Sequence, residues 1–321
     1  MARILITGGT GFLGRRLGKR FREQGHEVLL TGRNNKLILF AEEFAGCRAA
    51  AMDVCRIEAV RDTFAEFKPD TVIHAAATKF VDRAEHYPME AVDVNVVGSQ
   101  NVARAAIDAG VRLVIGISTD KAAPPVRNTY GLTKALMERL FCSLDGKTDT
   151  HFLCVRYGNV AWSTGSVLCI WKKMLEANGV IETTGPEMTR FFFTVDEAVG
   201  LVRTAYEHSD ELYGQVLSRH MKSAKLEDIL KIWTARANGE YRRIEGRPGE
   251  RNLEYLIGDL ELPYTITRDY GGIQHFVIRF NRKAEQPLAE GLSSENTERL
   301  SEDEILAIVN NPPVEGMGQA G

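Results

Sequence analysis

Short, nearly unbroken apolar runs alternate with segments of helical periodicity over the first half of the chain. Runs at 3–7, 27–31, 48–52, 71–77, 111–117 and 152–157 have the length and continuity of strands covered on both faces. Between them, Leu17 and Phe21 repeat on a helix reaching about Gly25, and residues 91–106 carry a long helical pattern. Leu132, Leu136, Met137 and Leu140 mark another helix over 129–140. Strand–helix alternation of this kind predicts an α/β fold around a parallel sheet. Past residue 160 the alternation breaks down, and 163–182, 222–247 and the remainder to about 310 read as a smaller C-terminal lobe. The expected division is 1–160 for the sheet domain, with about 190–220 returning to it, and 161–309 mostly for the interleaved smaller lobe. Residues 310–321, rich in Pro and Gly, read as a loose tail. Ser294-Glu295-Asn296 reads as the start signal of a final helix within 292–309.

Candidate chemistry gathers at strand tips. Gly8, Gly11 and Gly14 stand in ITGGTGFLG (6–14), directly after the first strand and at the opening of a helix. Glycines so placed permit a tight turn and let the backbone approach a pyrophosphate at a helix N-terminus, with Thr10, Phe12 and Leu13 completing the turn. The fold class is therefore a Rossmann-type doubly wound parallel sheet with a smaller substrate-binding lobe. The second strand ends in Thr31-Gly32-Arg33-Asn34-Asn35-Lys36. An NAD site usually offers a carboxylate there. Arg33, Asn34 and Lys36 instead suit the 2′-phosphate of NADP, the bland alternative being solvated loop cations. Asp53, next to Val54, would meet the adenine edge or cap the following helix. Ala75, Ala76 and Ala77 suit a backbone passing close beneath a cofactor, and Asn95 lies on the helix beyond.

Ser118-Thr119-Asp120-Lys121 crowns the 111–117 strand, and Tyr130 and Lys134 follow on one face of the next helix. A tyrosine with its pKa near 10 is a poor base, and a nearby ammonium favours the phenolate. For Lys121, burial and the Lys134 charge are expected to lower the pKa. An isolated Asp such as Asp120 is otherwise most often a turn or helix cap. The strand at 152–157 ends at Tyr157, with Asn159 just beyond.

Composition narrows the class. Forty basic residues against 43 acidic give net −3, so no basic field points to nucleic acid. No apolar run approaches a membrane span, and the N-terminus enters a strand at once, leaving no room for a signal peptide. Five scattered cysteines without a CxxC read as core residues of a reducing cytoplasm, not as a metal site.

Taken together, the motifs resemble the extended short-chain dehydrogenase/reductase superfamily, and more narrowly the UDP-N-acetylglucosamine 4,6-dehydratases of the configuration-inverting, 5-epimerising type. The resemblance spans nearly the whole chain. It is carried by ITGGTGFLG, HAAATKFVDRAEHYPMEAVDVNVVGS (74–99), STDKA (118–122), YGLTK (130–134), RYGNV (156–160), GSV (165–167), MTRFFFT (188–194) and RPGE (247–250). It implies that Tyr130 deprotonates the C4 hydroxyl while NADP takes the C4 hydride, and that Lys134 holds the nicotinamide ribose and tunes Tyr130. Lys121 is implied to remove the C5 proton and Asp120 to protonate the departing C6 hydroxyl. Ser118 and Tyr157 fall on the cofactor side. Lys79, Thr119, Asn159, Ser166, Val167, Arg190, Arg247 and Glu250 match positions on the nucleotide-sugar side. A homo-oligomer, dimer or larger, is also implied. The chain departs from the pattern in being one residue longer between Lys121 and Tyr130, and in Ala161-Trp162-Ser163-Thr164 after Asn159-Val160. Two other readings stand beside this one: a nucleotide-sugar 4-epimerase or ketoreductase, which needs no Asp120-Lys121 pair, and a non-catalytic NADP-sensing protein.

Overall fold

The structure is a computed structural model, described here for residues 1–246 and 248–313. Arg247 and residues 314–321, most of the expected tail, lie outside the described residues.

The chain opens with β1 (Arg3–Thr7), α1 (Phe12–Glu23), β2 (Glu27–Gly32), α2 (Asn35–Ala45), β3 (Arg48–Ala51), α3 (Ile57–Phe67) and β4 (Thr71–His74). After α4 (Val81–His86), α5 (Pro88–Val92) runs through a π turn (Asp93–Val97) into α6 (Gly98–Asp108). Next come β5 (Leu113–Ile117), a 3-10 turn (Asp120–Ala122), α7 (Thr129–Leu144) and β6 (His151–Val155). These six strands lie parallel in the order β3-β2-β1-β4-β5-β6. The strand order reverses at β1 and β4, and the crevice beyond their C-terminal ends is where open α/β sheets take ligands.

Alternate side chains of each strand feed opposite layers, as a period of two requires. Ile4, Ile6, Leu30, Ile73 and Ile115 pack with Leu17 and Phe21 of α1. Leu5, Leu29, Val72 and Val114 pack with Phe64 of α3, Val102 of α6 and Phe141 of α7. Coverage on both faces explains why the strands read as continuous apolar runs.

The second half supplies β7 (Asn159–Val160), α8 (Val167–Asn178), β8 (Val180–Thr183), β9 (Thr189–Phe193), α9 (Val195–Glu207), α10 (Ser209–Leu212) and β10 (Gln215–Arg219). It continues with β11 (Ser223–Lys225), α11 (Leu226–Ala237), β12 (Glu240–Arg243), β13 (Tyr255–Ile257), a 3-10 turn (Asp259–Tyr264), β14 (Thr265–Tyr270), β15 (Ile273–Arg279), β16 (Leu292–Ser293) and α12 (Glu302–Asn310). β10 pairs parallel with β6, and β15 and β14 add antiparallel beyond it, so within the described residues the central sheet has nine strands. Two strands from the stretch assigned to the smaller lobe thus extend the main sheet. A separate apolar cluster, with Trp171, Ile181, Leu230, Trp233 and Ile305, joins α8, β8, α11 and α12.

The final helix starts later than its expected signal. Ser301 caps α12 in a reciprocal box with Glu304. Ser294 is buried instead, its hydroxyl bound to Thr189 and to the amide of Glu254. Among the described residues no helix is long and apolar enough to cross a membrane.

Candidate active site

The glycine turn is packed onto the next strand. Gly8 has φ +64°, and a Cβ there would come within 2.7 Å of the Ala76 backbone, while one on Gly14 would meet the Gly8 carbonyl at 2.5 Å. Gly11 is the N-cap of α1, with no side-chain cap and no acidic residue in the first turn. Phe12, Leu13 and Gly14 open the helix, where amides lack intrahelical acceptors and suit an anion. Thr10 packs on Gly32 at the end of β2, where a Cβ would collide.

Beside it, Arg33 points Nη1 at Asp53 Oδ2, 4.0 Å away. Asp53 also accepts from the Cys55 amide at 3.0 Å, closing a turn, and α3 takes Arg56 as its N-cap. Asn34 caps α2 through Leu37 N, Lys36 is exposed, and Val54 is buried against Gly98. Ala75 N donates to Thr7 O at 3.0 Å, and Ala76 and Ala77 continue past the tip of β4. The π turn aims Asn95 inward, and its side chain bonds both the amide and carbonyl of Thr78 and the Thr133 hydroxyl (2.8–3.0 Å). The Asn95 amide thereby ties the loop after β4 to α7.

At the tip of β5, Ser118 Oγ is buried without a hydrogen-bond partner among the described residues. Thr119 caps the 3-10 turn and donates its hydroxyl to Asp120 Oδ1 at 2.9 Å. Asp120 is fully buried, with Oδ2 lacking a hydrogen-bond partner among the described residues. Lys121 Nζ lies 3.1 Å from Asp120 Oδ1, 3.4 Å from Asn159 Oδ1 and 3.5 Å from Glu254 Oε1. Burial alone would lower the Lys121 pKa, but the Asp120 and Glu254 carboxylates outweigh it and raise it above the ordinary lysine value, with Arg190 opposing. The expected lowering is therefore corrected.

Tyr130 departs from expectation as well. Burial pushes its phenol up to about 12, with Lys121 and Thr119 pulling down and Asp120 pushing up. The cation acting on it is thus Lys121 and not, as expected, Lys134. Lys134 is 2% exposed, with Nζ 2.9 Å from Met137 Sδ, and burial lowers it to about 8 against the pull of Cys154 and Glu138. Its charge is felt by His74, whose ring bridges Thr7 Oγ1 (2.7 Å) and Ser99 Oγ (2.9 Å). Burial, with a contribution from the Tyr130 charge, also raises the Tyr157 phenol, and the Tyr157 carbonyl accepts from the Asp120 amide.

On the far side, Lys79 Nζ donates to Thr164 O at 2.6 Å, and Phe80 packs on Gly165. Ser166 stands at the N-cap position of α8 without a side-chain cap bond, and Val167 begins the helix. Arg190 holds the Arg251 carbonyl (2.7 Å) and the Asn252 carbonyl (3.3 Å), and Glu250 accepts from Thr184 Oγ1 at 2.9 Å. The structure gathers Thr119, Asp120, Lys121, Tyr130, Tyr157 and Asn159 at one tip. Lys79 and Glu250 keep their own contacts to Thr164 and Thr184, and Ser166 and Val167 open α8.

Sequence reading missed Glu254, His74 and a buried triad. Arg156 meets Glu138 at 2.9 and 2.6 Å and Glu261 at 2.8 and 2.8 Å. An arginine closing an apolar strand was the available signal, since a buried guanidinium requires partners. Nothing local marked Glu254.

A family model described as "Polysaccharide biosynthesis protein" matches residues 4–270. The chain belongs to that family. It is a member of the extended short-chain dehydrogenase/reductase superfamily of nucleotide-sugar enzymes. A UDP-glucose 4-epimerase of Rickettsia conorii is 32% identical, over 95% of this chain and 94% of its own. The solved structure of Pen from Bacillus thuringiensis is similar with a TM-score of 0.88 and 28% identity, over 97% of each chain. A UDP-glucose 4-epimerase of Stenotrophomonas maltophila, solved with NAD and formylated UDP-arabinopyranose, shares the fold at TM-score 0.68 and 18% identity, covering 78% of this chain and 88% of that one.

Proposed function

We propose that this member of a nucleotide-sugar enzyme family is an NADP-dependent 4,6-dehydratase acting on UDP-N-acetylglucosamine or a close relative. The observation that carries the reading is the Asp120–Lys121 pair, 3.1 Å apart, at the tip of β5 next to Tyr130. Oxidation at C4 needs one base and a hydride acceptor, so a second acid/base pair implies a second bond-breaking event. A 4-keto group acidifies the C5 proton, and loss of water across C5–C6 then needs one base and one acid. Tyr130 takes the C4 hydroxyl proton, Lys121 the C5 proton, and Asp120 protonates the leaving C6 hydroxyl. The product is a 4-keto-6-deoxy sugar, and the face on which C5 is reprotonated sets its configuration.

A nicotinamide dinucleotide, when bound, accepts the C4 hydride and returns it to C6. The fit is supported by the close approach of Gly8 to Ala76, the uncapped start of α1 and the orphaned Ser118 hydroxyl. Arg33 at the end of β2 favours a 2′-phosphate. Lys134 holds the nicotinamide ribose, and Lys79, Asn159, Arg190, Arg247 and Glu250 hold the nucleotide sugar.

A homodimer is supported by Met89, Val92, Val97, Leu132 and Leu136, large apolar side chains left exposed on α5, the π turn and α7. Five unpaired cysteines among the described residues suit the cytoplasm.

The name of the Rickettsia relative favours a second reading, 4-epimerisation. Incubating the protein with UDP-N-acetylglucosamine and other UDP-sugars decides between them. Loss of one water by mass supports the dehydratase, and interconversion at C4 without mass change supports the epimerase.

A further inference from the structure

Behind Lys121 stands Glu254, 2% exposed and clasped through its backbone. Its amide donates to Ser294 Oγ at 3.0 Å, and its carbonyl accepts from Ser294 N at 2.8 Å. One carboxylate oxygen, Oε1, lies 3.5 Å from Lys121 Nζ. The other, Oε2, has no hydrogen-bond partner among the described residues. Arg251 Nη1, at 3.7 Å, likewise makes no hydrogen bond. A carboxylate serving only as a structural counter-ion would close that contact, because an unsatisfied buried charge is costly.

Lys121 is faced by Asp120 from its own turn, Asn159 from β7 and Glu254 from the segment before β13. Arg190 of β9 opposes its charge, and Lys121 in turn acts on Tyr130 of α7. An ammonium so enclosed must lose a proton before its nitrogen can act as a base. Asp120 is the closer carboxylate, but its Oδ1 already accepts from both Thr119 and Lys121, and it must deliver a proton to the C6 hydroxyl.

Resting on the dehydratase reading, we infer that Glu254 accepts the Lys121 proton and so releases the neutral amine that attacks C5–H. Glu254 is a positioning residue that acts through Lys121. One N–H bond of the ammonium breaks as an O–H bond forms on Glu254. The freed amine takes the C5 proton, and the C–H electron pair enters the C4–C5 enolate. Collapse of the enolate breaks the C6–O bond, and hydroxide leaves with a proton from Asp120 as water. Asp120 gains that proton from the Tyr130 phenol, which takes the C4 hydroxyl proton in its place. Once hydride reaches C6, Lys121 returns its proton to C5 and Glu254 returns its own to Lys121, so every group ends as it began. Because the Glu254–Lys121 transfer exchanges no proton with solvent, the C5 step is flat with pH while both groups keep their charges.

The test compares native enzyme, Glu254→Gln and Glu254→Asp with UDP-N-acetylglucosamine in deuterated buffer. C5 exchange, reduced-cofactor absorbance and water loss are followed against pH. Glu254→Gln should cut C5 exchange at neutral pH at least about 100-fold and make it climb about tenfold per pH unit, the scale of a lost general acid/base. Reduction of the cofactor from C4 should stay near native. Glu254→Asp should recover exchange above the Gln variant with a flat profile. Faster exchange in Glu254→Gln overturns the inference, since Glu254 would then merely hold Lys121 charged. Unchanged exchange assigns the transfer to Asp120. Equal loss of C4 oxidation makes the role structural. A native profile that climbs about tenfold per pH unit also overturns it, without any variant. Native enzyme showing neither exchange nor water loss defeats the dehydratase reading itself, whereas native exchange with an unaffected Gln variant defeats only the role of Glu254.

Discussion

Arg156 and Glu138 meet in a two-point contact, Nε to Oε1 at 2.9 Å and Nη2 to Oε2 at 2.6 Å, both side chains essentially without exposure. The contact joins the end of β6 to the helix that carries Tyr130 and Lys134. Glu261 grips the other edge of the same guanidinium. Removing the arginine leaves two buried carboxylates uncompensated. Arg156→Met should therefore lower unfolding free energy by about 3–5 kcal/mol, read from urea midpoints at constant m. Arg156→Lys should recover little of it, since an ammonium cannot serve two forks. A change within error for Arg156→Met would show that the triad is energetically neutral.

Lys121→Ala should separate the two halves of the reaction. Reduced cofactor should still form from C4 oxidation, but C5 exchange and water release should fall by about 100-fold or more. Tyr130→Phe should suppress every step. Near-native dehydration by Lys121→Ala would remove Lys121 from its role.

Arg33→Ala should weaken NADP binding by a charge-assisted contact of about 1.5–3 kcal/mol, or roughly tenfold to a hundredfold, and leave NAD binding nearly unchanged. Titration calorimetry with both dinucleotides checks this. Equal native affinity for the two would show Arg33 to be a loop cation salted to Asp53.

His74 should mark the acid side of the stability profile. Burial, reinforced by the Lys134 charge, lowers its imidazole to about 3 from an ordinary 6.5. The folded state then binds fewer protons than the unfolded one between those values. Its contribution is complete above pH 6.5 and is lost as pH falls toward 3, at up to about 1.4 kcal/mol per pH unit. Urea midpoints from neutral pH down into this window should fall less steeply in His74→Gln than in the native protein. Parallel slopes would mean that His74 is not buried as a neutral ring.

Leu132 and Leu136 are 56% and 51% exposed on α7. The double change to Glu should convert a native dimer into monomer in analytical ultracentrifugation, while leaving the melting transition of the monomer cooperative. A native protein that sediments as a monomer would set the dimer aside.

The sequence by itself determined the parallel sheet, because strands covered on both faces must be continuously apolar and their runs are visible without any partner. It also located the tight glycine turn after β1, since a glycine that must adopt φ +64° against Ala76 is a local demand. Tyr130, Lys121 and Asp120 were legible as residues, being close in sequence at one strand tip. Their charge states were not. Lys121 was expected to lose its proton through burial and Lys134. The fold instead brings Glu254 to within 3.5 Å of Lys121 and seats the Lys134 ammonium against Met137. Ser294 likewise carried a helix-start signal, yet its hydroxyl was taken by Thr189 and Glu254, and Ser301 capped the helix. A hydrogen bond or ion pair depends on separations of a few ångströms between groups far apart along the chain. Local pattern carries no record of such distances, so only the tertiary structure could decide which carboxylates stand beside which lysine.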